Sequence, residues 1–302
     1  MSGLAGKKAV LVFPSFDLGG AERQGLMLAR HLKEKEDVEV EVWSVNPGNV
    51  VPQACSEMGI ATTLVPIQVW TSRRNLLYQL FKFALRLRRS KVDILLPYVL
   101  VPNLACCSTW RYSRAKVCIW QQRDEGLARG PVGLETRAVR DASLFVSNSR
   151  GGADFLKNAL GVQTDRVHLI PNGVQLKPAQ KNRSQWREEL GVSDQAFVTC
   201  MLANLTSVKD HETVLRAWRI VLDHFSSEIR SDEKPILVLA GRFGDGYEHA
   251  LEIAQKLEVS GSVRFQGFVS DTSGLLAACD LSVLSSPSEG CSNAVLESMA
   301  TG

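Results

Sequence analysis

Two carboxylates, Glu289 and Glu297, stand eight positions apart near the end of the chain. The first lies in a loop of small residues, Ser286-Pro287-Ser288-Glu289-Gly290-Cys291-Ser292, and the second within a helical pattern that opens at Asn293. An apolar run, Leu281-Ser282-Val283-Leu284, precedes the loop, so the order reads strand, small-residue turn, helix. The first N–H groups of a helix lack intrahelical partners and carry the positive end of its dipole. Gly290, Cys291, Ser292 and Asn293 therefore form a seat for an anion, with Glu289 beside it to accept from hydroxyl groups. The plainer reading is an ordinary strand-loop-helix with two surface carboxylates.

Four further groups follow strand patterns in the same way. Gly19 and Gly20 open a helix after Phe13-Pro14-Ser15-Phe16-Asp17-Leu18, where paired glycines let backbone approach a ligand. The spacing is not G-x-G-x-x-G, which argues against a dinucleotide oxidoreductase, and a purely structural Gly-Gly turn is the alternative. Asn204 and Lys209 lie in the loop Ala203-Asn204-Leu205-Thr206-Ser207-Val208-Lys209-Asp210-His211, Arg242 follows Leu239-Ala240-Gly241, and Arg123 follows Cys118-Ile119-Trp120. Each cation at a strand end is placed to meet phosphate, though a solvated loop cation is the competing account. The five His (31, 168, 211, 224, 249) show no metal-ligand spacing, and no Asp-x-Asp pair is present.

The segment 286–302 closely resembles the signature of the retaining GT-B glycosyltransferases, carried by Glu289, Gly290, Asn293, Leu296, Glu297, Met299, Ala300 and Gly302 in order. The resemblance extends back to Gly19. It implies an α/β protein of two Rossmann-like doubly wound domains facing a cleft, the second incomplete because such relatives continue past the position of Gly302. It implies that Glu289 approaches the donor sugar, that Glu297 bonds the ribose, that Lys209 grips the diphosphate and that the Gly19–Gly20 amides face it. Asn204 stands where such proteins usually carry Arg, leaving Lys209 and the helix N-termini to neutralise more of the leaving group. Many relatives also place a His after the fifth strand; here Arg123 is the candidate to stabilise phosphate or orient the acceptor, with a loop contact to Asp124 as the alternative. Val263-Arg264-Phe265-Gln266-Gly267-Phe268 resembles the strand and turn beside the nucleotide base, and Arg242 is a further phosphate candidate.

The implied reaction is transfer of a hexosyl group from a nucleoside-diphosphate sugar to an acceptor hydroxyl with retention, in surface polysaccharide or glycolipid assembly. The nucleotide sugar is a substrate, so no cofactor and no metal are implied, and the other partner is a glycan or lipid-linked acceptor. Two alternatives stay open: a non-catalytic nucleotide-sugar-binding subunit, and a sugar-nucleotide epimerase of the same fold. A hydrolase with paired carboxylates fits less well, since one Glu is in a loop and the other on a helix.

These groups need a scaffold, and 302 residues with 45% hydrophobic content suffice for two cores. Short β-branched runs alternate with amphipathic segments, the pattern of helices packed on a parallel sheet. Expected strands in the first half are 9–13, 38–43, 63–65, 93–96, 116–120, 144–147 and 167–170, with helices at 21–34, 75–90, 132–141 and 151–160. The second half reads as strands 197–202, 236–240, 263–265 and 281–284 with helices 211–225, 247–257 and 273–278. A polar connector after Pro171-Asn172-Gly173-Val174 divides an acceptor-side domain, 1–175, from a donor-side domain, 176–302.

A net charge of +3 speaks against nucleic-acid binding. Seven Cys without paired spacing, five in apolar stretches, read as buried free thiols. The start of the chain is polar and the longest apolar stretch, 94–107, is interrupted by prolines, so the expected location is cytoplasmic. One segment suggests a surface partner. From Thr71 to Val92 there are Arg73, Arg74, Lys82, Arg86, Arg88, Arg89 and Lys91 and no acidic residue. A helix there would set Leu76, Leu77, Leu80, Phe83, Ala84 and Leu87 opposite a polar stripe, either packed as an ordinary solvated helix or resting peripherally on the anionic inner face of a membrane.

Overall fold

The computed structural model describes residues 3–126, 128–225 and 234–302. The chain divides into two compact units, Met1–Gly173 and Val174–Gly302.

Unit 1 is an all-parallel sheet of β1 (Lys8–Phe13), β2 (Glu39–Ser44), β3 (Ala61–Leu64), β4 (Ile94–Pro97), β5 (Val117–Gln122), β6 (Leu144–Ser147) and β7 (Val167–Leu169), in spatial order β3-β2-β1-β4-β5-β6-β7. Its helices are α1 (Gly20–Glu36), α2 (Val50–Glu57), α3 (Arg73–Arg89), α4 (Leu100–Thr109), α5 (Val132–Asp141) and α6 (Arg150–Asp154). The alternation of β1 shows both faces covered: Ala9, Leu11 and Phe13 enter one apolar cluster with Ala29, Val51 and Cys55, while Val10 and Val12 enter another with Phe83, Leu104 and Ala138. Parallel strands buried on both faces read as continuous apolar runs, as Ala9-Val10-Leu11-Val12-Phe13 does.

Unit 2 repeats the plan with β8 (Val198–Leu202), β9 (Ile236–Ala240), β10 (Val263–Gly267) and β11 (Leu281–Ser282), in order β10-β9-β8-β11 and again all parallel. Its helices are α7 (Arg183–Leu190), α8 (His211–Phe225), α9 (Tyr247–Lys256), α10 (Thr272–Ala278) and α11 (Asn293–Thr301). A buried ion pair ties the sheet to its first helix. The Arg187 guanidinium, 1% exposed, donates to the carbonyls of Ala278, Ser193 and Ala196 and to the Asp280 carboxylate at 2.8 Å. Asp280 also accepts from the Val198 N–H, so α7, β8 and the start of β11 share one clamp.

Three helices lie outside the sequence expectations, each for a local reason. α4 is almost wholly buried, so it lacks the polar face that gives a helix its period, and it accounts for part of the stretch 94–107. α2 carries Pro52 in its first turn, which a helix tolerates there. α7 bears the signs that a capping box and C-terminal glycine leave: the Asn182 side chain accepts from Gln185 N, and Gly191 ends the helix at φ 64°. The expected helix 151–160 is instead the short α6 continued by a π-helical turn, Phe155–Ala159. In α3 the inward face is Leu80, Phe83, Ala84 and Leu87; Leu77, expected with them, is exposed.

Candidate active site

In an open parallel sheet, ligands bind beyond the carboxyl ends of the strands, where neighbouring strands send their chains to opposite faces. In unit 2 that point falls beside β8, which has β9 on one side and β11 on the other. The loop after β8 carries Asn204 and Lys209, and the loop after β11 carries Glu289. Topology alone therefore brings together residues far apart in sequence.

The contact is direct: Lys209 Nζ is ion-paired with the Glu289 carboxylate, the two side chains being 28% and 24% exposed. Lys209 sits on a single helical turn, Ser207–Lys209, closed by its own N–H bonding Thr206 O at 3.0 Å. Asp210 follows in the left-handed region at φ 50°, and its carboxylate accepts from Thr213 N and Oγ1 to start α8. Ser285 then staples the two loops: its hydroxyl donates to the Asp210 carbonyl at 2.7 Å and approaches that of Lys209 at 3.3 Å. No motif in the sequence singles out Ser285. His211 is buried beneath this loop, with Nε2 lacking a hydrogen-bond partner among the described residues. Burial holds its pKa below the ordinary value, against the opposing pull of Asp210 and the Ala203 carbonyl.

Beyond Glu289, Gly290 and Cys291 lead to Ser292, whose hydroxyl accepts from Val295 N and caps α11; Asn293 is the first residue of that helix. Glu297 is 4% exposed, so the second carboxylate is a buried group on α11 while the first is half-buried on the loop.

Asn204 has a part that sequence reasoning did not assign. Its Oδ1 accepts from the Arg242 backbone N–H at 3.1 Å, while Leu205 N donates to the Arg242 carbonyl at 2.9 Å, so the loops after β8 and β9 are clasped. The clasp requires Gly241: a Cβ there would lie 2.0 Å from the Ala203 carbonyl oxygen. The Arg242 guanidinium lies over the Phe268 ring at 5.1 Å, and Phe243 stacks on Tyr247 at 4.0 Å, with Phe243 and Phe268 more than half exposed. An apolar, aromatic platform thus stands at the ends of β9 and β10, next to the polar pair at β8 and β11.

In unit 1 the corresponding point lies at β1 and β4. Gly19 caps α1, but its N–H donates to Glu22 Oε2 at 3.0 Å, so the Gly19 amide is already committed within its own loop and Gly20 begins the helix. Glu22 is 5% exposed, and burial raises its pKa despite the backbone N–H groups of Glu22 and Gly19 that favour the carboxylate. After β4, Val99 is held at φ 66°, a conformation strained for a β-branched residue and frequent at functional edges. Arg123, at the end of β5, lies over the Tyr98 ring at 5.2 Å and donates to Asn172 Oδ1 at 3.3 Å. Asp124 instead accepts from Gln122 Nε2 and Gly126 N. Burial pushes the Tyr98 phenol up to about 12, with Arg123 pulling the other way.

All seven Cys are free thiols, five of them buried. Among the described residues no group of three or more His, Cys, Asp or Glu is arranged to hold a metal ion, and no helix is long and apolar enough to cross a membrane.

Two Rossmann-like units, each built on an all-parallel sheet, make the GT-B architecture of glycosyltransferases. The chain belongs to glycosyltransferase family 4, whose family model matches residues 18–177, and the model of glycosyl transferases group 1 matches residues 182–302. The Alpha-monoglucosyldiacylglycerol synthase of Streptococcus pneumoniae is 31% identical over 142 residues, which take in 44% of this chain and 30% of the synthase. The chain thus matches less than a third of the length of that curated relative. Among solved structures, Anabaena HepE in complex with UDP-glucose superposes with a TM-score of 0.79 at 19% identity, over 97% of this chain and 78% of that one. A glycosyltransferase from Rickettsia africae gives 0.77 at 16%, over 98% and 78%.

Proposed function

We propose that the protein transfers a hexosyl group from a nucleoside-diphosphate sugar to an acceptor hydroxyl with retention at the anomeric carbon. The observation that carries this reading is the Lys209–Glu289 pair at the β8–β11 crossover, flanked by the N-terminus of α11. In such a reaction the bond from the anomeric carbon to phosphate breaks with its electron pair going to the diphosphate, the acceptor oxygen bonds that carbon, and the acceptor's proton passes to the departing phosphate oxygen. Charge builds on the leaving group, so preorganised cations and N–H groups lower the barrier most. Lys209 supplies the cation, and the amides around Ser292 and Asn293 supply donors. Arg242 adds charge at the edge of the same loops.

Glu289, released from Lys209 by the incoming diphosphate, is then free to accept from sugar hydroxyls, while Glu297 on α11 serves the ribose. The aromatic platform of Phe243 and Phe268 suits a nucleobase. Asn204 clasps the Arg242 backbone through Oδ1, which leaves its Nδ2 group to donate to the diphosphate. In unit 1, Arg123 is assigned to the acceptor side. The UDP-glucose complex of HepE supports a uridine nucleotide as the first donor to try, and the name of the streptococcal synthase supports a glycan or lipid-linked acceptor. The reaction as written needs no cofactor.

The test measures nucleoside-diphosphate release from a panel of sugar nucleotides, with and without acceptors, for the wild type, Glu289→Ala and Lys209→Ala. Acceptor-dependent release that both substitutions abolish is expected. Full rate in both variants would refute the site, and turnover of the sugar nucleotide without acceptor would favour an epimerase.

A further inference from the structure

At one side of the unit 1 sheet, polar side chains from successive strand ends meet. Arg123 follows β5, Asn148 follows β6 and Asn172 lies beyond β7, and these strands are neighbours. The Arg123 guanidinium lies over the Tyr98 ring at 5.2 Å, and its Nη1 donates to Asn172 Oδ1 at 3.3 Å. Asn148 Nδ2 donates to the same oxygen at 3.4 Å. An arginine can only donate, so the Asn172 atom that faces it is the oxygen, and the Asn148 atom that faces that oxygen is the nitrogen. Both amide orientations are thereby fixed.

The anchor of this chain of contacts is rigid. Pro171 locks φ just before Asn172, and the Gln24 amide on α1 grips the residue after it. Gln24 Nε2 donates to the Gly173 carbonyl at 2.7 Å, and its Oε1 accepts from Gly173 N at 3.1 Å. Beneath the guanidinium, Tyr98 is 1% exposed, packs edge-on against Phe13 at 5.2 Å and hydrogen-bonds Arg123. Arg123 is therefore held by the ring on its face and by Asn172 at its edge.

Asn148 joins this arrangement at the expense of its own oxygen. The residue is 5% exposed, and with Nδ2 turned to Asn172 its Oδ1 has no donor among the described residues. A buried acceptor without a donor is penalised, so a network serving stability alone would be stronger with an apolar side chain of the same shape at this position. What Asn148 does supply is a second donor that fixes the Asn172 oxygen toward Arg123. We propose that Asn148 and Asn172 are positioning residues, which hold the Arg123 guanidinium in the orientation that meets the acceptor substrate. This role rests on the acceptor-side assignment of Arg123 above and adds the two amides through which Arg123 is aimed.

Leucine has nearly the shape of asparagine and none of its polar atoms, so Asn148→Leu and Asn172→Leu in the whole chain test this. Phenylglyoxal is expected to modify Arg123 about fivefold faster in each variant than in the wild type, the weight of one modest hydrogen bond, as read by peptide mass mapping. Asn172→Asp keeps the accepting oxygen and restores slow modification. In the acceptor-dependent release assay above, kcat/KM for the acceptor falls about tenfold in both leucine variants through misplacement of the guanidinium, while uridine diphosphate affinity stays as in the wild type. Asn148→Leu does this with an unfolding temperature equal to or above that of the wild type, and Arg123→Gln/Asn172→Leu falls no further than Arg123→Gln alone. Wild-type modification rates in both leucine variants, losses that add in the double variant, or a lower unfolding temperature for Asn148→Leu would overturn the positioning role. Wild-type acceptor kinetics in Arg123→Gln would instead overturn the acceptor-side assignment of Arg123 itself, whatever the modification rates.

Discussion

Glu289 and an incoming diphosphate compete for the same ammonium group, and that competition gives substitutions of opposite sign. Both side chains of the Lys209–Glu289 pair are about three-quarters buried, which sets the pair at the upper end of partly exposed ion pairs, about 1 kcal/mol. Nucleotide binding has to break it. Glu289→Gln removes the competitor and so is expected to tighten uridine diphosphate binding by up to about fivefold, the factor that 1 kcal/mol represents. Lys209→Met removes a charged hydrogen bond to phosphate, worth about 1.5–3 kcal/mol, and leaves the Glu289 carboxylate facing the diphosphate. Its dissociation constant is expected to rise about tenfold to a hundredfold. Turnover falls in both variants, because Glu289 is needed for the sugar even though it hinders the nucleotide. Calorimetric titration with uridine diphosphate at one ionic strength measures both constants, and the double variant gives the coupling. If Glu289→Gln weakened nucleotide binding as Lys209→Met does, the carboxylate would not be holding the lysine and the competition would be wrong.

Gly241→Ala forces a Cβ to within 2.0 Å of the Ala203 carbonyl, so the clasp between the loops after β8 and β9 must open. A loss of a few kcal/mol in unit 2 and weakened nucleotide affinity are expected by thermal unfolding and titration. Arg187→Met takes a buried donor from three carbonyls and one of the partners of Asp280, which keeps Arg183 and the Val198 N–H, and a loss of about 3 kcal/mol is expected in urea unfolding followed by tryptophan fluorescence. Asp271 accepts N–H groups from Gln180, Lys181, Gly274 and the Trp186 indole; burial pushes its pKa up, but these donors outweigh it and hold the carboxyl below its usual range. Its stabilisation is therefore complete above the unfolded value, about 3.9, and lost as pH falls through the lower folded value. Asp271→Asn should cost stability at neutral pH in urea unfolding, with the gap to the wild type closing in acid.

Much of the fold was legible locally. Apolar runs such as Val198–Leu202 and Ile236–Ala240, punctuated by glycine and separated by amphipathic helices, announce parallel strands because a strand buried on both faces has no polar alternation to hide it. The loop residue types, Lys209 after β8, Arg242 after β9 and Glu289 after β11, could likewise be read as anion and hydroxyl ligands from their positions at strand ends. α4 escaped because burial on all sides removes its period, and the outward placement of Leu77 escaped because α3 is apolar on two faces and only packing says which one meets the sheet.

What the sequence by itself determined is the list of chemical groups and the parallel α/β class, since periodicity and turn chemistry act over a few residues. Their pairing was decided by the tertiary structure. The strand order β10-β9-β8-β11 sets Lys209 against Glu289, Ser285 against Asp210 and Asn204 Oδ1 against the Arg242 backbone. In unit 1 the fold likewise commits the Gly19 amide to Glu22. Contacts across many tens of residues depend on which strands are neighbours, and strand adjacency is set by the packing of whole elements rather than by any local pattern.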